Sequence, residues 1–208
     1  VVWNSALLKS AKLIFPMLIF SVFFAEPIMT CMYGDIYAQS SIYFVIKNLS
    51  GLFYIIPFYP IILAIGKTNS YANAHMIAAF MIVMAEYVVC KTFDSAVYVA
   101  ITSELCKLFK IWLLLRVIAN YAHKKITELL PPRPMTILIM ISVLASLPPF
   151  LLLDFLNMNK FIVLFVCLGF FLVDYYVLCW ICKVTYRDIA GGFLKNKSRL
   201  NAVVKILP

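Results

Sequence analysis

The most informative shortage in this 208-residue sequence is charge: only 13% of its residues are Asp, Glu, Lys or Arg. A soluble domain carries about 25%, because its exterior must be wetted. Nine acidic and eighteen basic residues cannot cover a fold of this size while 64% of the chain is hydrophobic and its mean hydropathy is +0.98. A soluble enzyme is excluded on that ground. Glycine is scarce at six residues, and none falls in 13–33 or 96–122, two of the apolar segments. Histidine is limited to His75 and His123, neither with a companion at metal-ligand spacing, so no metal site is expected. There is no P-loop, paired-glycine fingerprint or nucleophile elbow, and therefore no catalytic residue and no cofactor to propose.

What the sequence has in abundance is long apolar runs. They are continuous rather than alternating ten-residue strands, which argues against a membrane β-barrel. The reading is all-α: a polytopic helical membrane protein in which about 20 mainly apolar residues make each span. Six spans are expected, at about 13–33, 49–66, 74–91, 96–122, 135–153 and 161–182, forming one transmembrane domain over 1–182. Residues 135–153 are uncharged and 161–182 are interrupted only by Asp174. Residues 49–66 are uncharged too but contain Pro57 and Pro60, which kink or break a helix.

Lys and Arg orient these spans. One side collects Lys9, Lys12, Lys67, Lys124, Lys125 and Arg133 together with six residues of the tail 183–208. The other side has only Lys47, Lys91 and Lys160. This asymmetry puts both termini in the cytosol and makes 183–208 a basic cytosolic tail. Either it is solvated near anionic lipid, or its apolar residues line one face of an interfacial helix. The excess of basic residues sits at segment ends and points to membrane lipid rather than nucleic acid. The sequence opens Val1-Val2-Trp3 without an initiator methionine, as expected of a processed N-terminus or of a missing upstream segment.

Charges inside a span cost on the order of 2.5–3.5 kcal/mol each, so they mark partners or water. Span 96–122 holds Glu104, Lys107, Lys110 and Arg116. At about 100° per residue the first three share a third of the helix circumference, while Arg116 points nearly opposite Lys107. Two readings stay open. Lys107 and Lys110 line a water-filled path with Glu86 or Asp174 as counter-charges, or the ions pair internally and the lysines snorkel. The Cys179-x-x-Cys182 spacing suits a thiol redox pair. It lacks a second loop-borne cysteine pair and falls at the reducing, cytosolic end of its span. The six cysteines otherwise lie mostly in apolar segments as small hydrophobes. Asn48-Leu49-Ser50 is a glycosylation sequon placed close to the membrane on the non-cytosolic side.

Two short segments carry a family resemblance. Gly51, Tyr54, Ile56, Phe58 and Pro60 match a G-V-W-Y-L-I-F-F-C-P segment, and Ala25-Glu26-Pro27-Ile28 matches G-E-P-I at the end of the preceding span. In these the chain resembles the trimeric intracellular cation channel family. That family has seven spans and a cytosolic C-terminus, so six spans with both ends cytosolic are what remains without the first. The family's basic signature K-E-V-x-R-x-x-K would fall at 85–92, where only Glu86 aligns and Lys91 is displaced by one position. Its inositol-lipid site is therefore not carried over. The resemblance implies a monovalent (potassium) cation channel of an intracellular membrane such as the endoplasmic reticulum, assembled as a homotrimer. Lys107, Lys110, Arg116, Glu86 and Asp174 are then pore or gating candidates, and Pro57 and Pro60 mark a helix kink. The alternative is a non-catalytic structural subunit of a larger membrane complex, its intramembrane charges paired with partner chains.

Overall fold

A computed structural model describes residues 2–56, 58–130, 132–153, 160–182 and 184. Among these residues all regular structure is helical. Four helices are long and apolar enough to cross a membrane by length and composition, at 6–23, 68–92, 132–152 and 160–181, as in an integral membrane protein.

The first apolar run does not make one helix. α1 covers Val2–Phe23 and α2 covers Ala25–Tyr33. Pro27 explains the break: a proline ring clashes with the carbonyl four residues back, and here that residue is Phe23, the last of α1. Pro27 is instead accepted in the first turn of α2, where its missing N–H satisfies no bond anyway. Gly34, at φ 94°, ends α2 by donating its N–H to Thr30 O at 3.0 Å. A 3-10 helix over Asp35–Ser40 then leads into α3, Ser41–Gly51.

The second expected span, 49–66, is interrupted, as its prolines lead one to expect. α3 ends within it, residues 52–55 turn, and α4 is the seven-residue helix Phe58–Ala64. Pro60 sits in the first turn of α4 and denies Ile56 a helical partner. Pro57 lies outside the described residues. α5 (Thr68–Thr92) and α6 (Ala96–Ala122) form an antiparallel hairpin across an extended link at Phe93–Ser95. α6 matches the expected bounds, and its four charged residues set it apart from the four long apolar helices. It closes with His123 in the left-handed conformation, φ 51°. Lys124 N–H bonds Ala119 O at 3.1 Å and His123 N–H bonds Asn120 O at 3.4 Å, which satisfies the last carbonyls. After the short α7 (Ile126–Leu129), α8 (Pro132–Leu152) begins on a proline, and α9 (Lys160–Ile181) follows.

α8 lies between α1 and α9, and α3 bridges α1 to α6. Two apolar cores result. One gathers Leu7, Ala11, Phe15, Ile62, Leu114, Ile118 and Leu138; the other gathers Phe20, Phe24, Ala145, Cys167, Phe171 and Cys179. Phe20 stacks on Phe24 at 4.4 Å and meets Phe171 at 5.0 Å. α8 approaches its neighbours closely through Ser142, Ala145, Ser146 and Pro149, a buried stripe spaced three and four residues apart. Small residues there let helix backbones come together in a medium that offers no hydrophobic drive between them. The Ser142 and Ser146 hydroxyls donate to Leu138 O and Ser142 O, at 2.7 and 2.8 Å, and so bring no unpaired polar group into the interface. In the tail, Val184 is half-buried with its N–H bonded to Cys179 O; the expected basic segment otherwise lies outside the described residues.

Candidate functional site

Two of the ionic side chains that sequence placed within the apolar bundle, Glu104 and Lys107, meet Lys47 where α3 packs on α6. Glu104 is a buried residue on α6. Its Oε1 accepts from Lys107 Nζ at 2.7 Å, one turn along the same helix, and from Lys47 Nζ on α3 at 3.4 Å. The counter-charge of Lys107 is thus Glu104 on its own helix, the internal pairing that was one of the two readings left open by the sequence. The i,i+3 spacing brings these two side chains together before any other helix is needed. Among the described residues, Glu104 Oε2 is buried without a hydrogen-bond partner. The neighbouring Ser50 hydroxyl, itself buried, donates to Lys47 O at 2.8 Å instead.

Lys47 extends over the face of Tyr54, 5.7 Å from its centroid, in the turn that follows α3. One further turn along α6 lies the half-buried Lys110, and on the adjacent α5 the His75 ring packs on Tyr71 at 4.4 Å. Two lysines therefore share one oxygen of a buried carboxylate beside the turn that follows α3, and Lys110 lies one helical turn further along α6.

The remaining candidates stand apart. Glu86 is half-buried on α5. Arg116 is exposed, its guanidinium 5.4 Å over the Trp112 ring, and takes no part in the cluster. Asp174 is half-buried on α9, which packs on α1, α2 and α8. Among the described residues, neither Glu86 nor Asp174 belongs to an ion pair. Lys47, counted from sequence as a loop residue, is the cluster member that sequence reasoning missed. Its only signal was a lone lysine four residues before Gly51. A second pair, Lys160 with Asp35, joins the start of α9 to the 3-10 helix.

Two sequence features resolve in bland terms. Asn48 Nδ2 donates to Phe44 O at 2.9 Å within α3, and Ser50 is buried, so the sequon is folded into a helix. Cys179 is buried while Cys182 is exposed, and among the described residues they do not form a disulfide. Among the described residues, no three His, Cys, Asp or Glu side chains gather where they could hold a metal ion. No family model matches the chain, and neither a curated protein nor a solved structure matches it.

Proposed function

We propose that this chain is a small transport protein of an intracellular membrane, such as the endoplasmic reticulum: a channel for monovalent cations, potassium in particular, assembled as a homotrimer. In this reading six segments cross the bilayer, namely α1, the interrupted stretch from α3 to α4, α5, α6, α8 and α9, with both termini cytosolic. The observation that carries it is the Lys47–Glu104–Lys107 cluster at the junction of the interrupted crossing with α6. Transport proteins place ion sites beside broken helices, where backbone carbonyls and charged side chains can be satisfied away from lipid. A lysine-rich lining repels cations. The lysines therefore act as the gate: Lys107 is held by Glu104, and Lys110 is the charge that moves toward or away from the path.

Potassium flux through liposomes containing the purified protein tests the proposal. Lys107→Ala combined with Lys110→Ala should change open probability in single-channel recordings. Unchanged currents would remove both residues from gating, and no flux from wild type would remove the channel.

A second reading, a structural subunit of a larger complex, is favoured by α5, of whose apolar span only 11% is buried inside the chain. Gentle purification in detergent separates the two. Three 23.7 kDa copies alone support the channel, while fixed-ratio co-purification with different chains supports the subunit.

A further inference from the structure

A cavity of about 510 Å³ opens between α2, the 3-10 helix, the end of α8 and the start of α9, away from the Glu104 cluster. Its lining is of two kinds. Phe23, Phe150 and Leu151 make an apolar wall, the two rings meeting edge to face at 5.8 Å. Among the described residues, Glu26, Asp35 and Lys160 make a charged rim with one more negative than positive group. Lys160 occupies Asp35 Oδ1. Glu26 is exposed and in no ion pair among the described residues.

We propose that this cavity binds a single-chain amphipathic amine, its ammonium on Glu26 and its hydrocarbon body against Phe23, Phe150 and Leu151. The volume falls within the range of small-molecule sites, roughly 300–1,000 Å³. An ammonium supplies donors to a carboxylate and is attracted to the faces of adjacent aromatic rings. A hard metal cation is a poor match: it wants several oxygen ligands, and one of the two carboxylates is already engaged by Lys160. Leu151 is 65% and Phe150 43% exposed, so an alkyl chain can continue from the cavity along the outer surface of the bundle. The inference is independent of the channel reading.

Calorimetric titration of the protein in lipid nanodiscs with dodecylamine, corrected with empty nanodiscs, tests it, with dodecanol as the uncharged probe of equal chain length. Saturable binding of dodecylamine is expected, with none for dodecanol. Glu26→Gln should weaken binding by about tenfold or more, since a charge-assisted hydrogen bond is lost. Lys160→Ala should tighten it several-fold by releasing Asp35, so a folding defect in the Glu26 variant would leave the proposal testable. Equal uptake of amine and alcohol, affinities unchanged in both variants, or calcium displacing the amine at equal concentration would each overturn it.

Discussion

Lys47 and Glu104 are 57 residues apart in the chain, yet Lys47 Nζ lies 3.4 Å from Glu104 Oε1. That contact joins α3, an eleven-residue helix that ends in a turn, to the most charged of the long helices. The two lysines that share this oxygen differ in setting. The Lys47 side chain is 62% exposed and that of Lys107 27%, against 11% for Glu104. Their energetic weights should differ accordingly.

Glu104→Gln leaves Lys107 without its counter-charge in a largely buried position and should cost about 1–3 kcal/mol. Lys47→Ala should cost about 0–1 kcal/mol, because an exposed pair gains little over hydration. Apparent Tm in detergent, measured for both single variants and the double variant, gives the order. An unchanged Tm for Glu104→Gln would mean that the cluster does not hold α3 to α6.

Ala145 is fully buried in the small-residue stripe of α8, while its neighbour Leu144 is 49% exposed. Ala145→Leu must push α8 from the helices it touches and should cost about 1–3 kcal/mol. Leu144→Ala removes no packed contact and should shift Tm little. Equal effects of the two substitutions, read by thermal unfolding, would contradict this packing.

His123 is exposed and adopts φ 51°, a conformation that costs a residue with a Cβ about 1–2 kcal/mol. His123→Gly removes that strain but adds unfolded-state entropy. The net expectation is a gain of about 0.5–1 kcal/mol, since Gly is the favoured residue just past a helix end. A lower Tm would show that the imidazole itself contributes.

A methyl group added at Gly51 would sit 3.3 Å from Leu18 Cδ1, the tip of a flexible side chain on α1. Gly51→Ala should therefore cost under about 1 kcal/mol, and Gly51→Leu about 1–3 kcal/mol by overpacking. In a Leu18→Ala background the penalty of Gly51→Ala should disappear, because neighbouring sites couple. A penalty that persists there would place its origin in the backbone.

The sequence by itself determined the helical, membrane-compatible character of the chain, and placed α6, α8 and α9 to within about three residues, whereas α5 starts at Thr68, before the expected 74. An uncharged run of about 20 residues has a single low-energy arrangement in lipid, the helix that satisfies its own backbone. Charge spacing also put Glu104, Lys107 and Lys110 on one face, since that depends only on helix geometry. The interruptions were legible in part: prolines 57 and 60 announced a break, whereas the division of 13–33 at Phe24 required attention to the carbonyl four residues before Pro27. Only the tertiary structure decided the rest. Lys47 reaches Glu104, Lys160 reaches Asp35 across 125 residues, and Ser142, Ala145 and Ser146 become a close-packed seam. Each of these depends on which helices lie side by side. Where nearly every face is apolar, hydropathy cannot choose among neighbours, and the choice falls to side-chain size and to the few charges that must find one another.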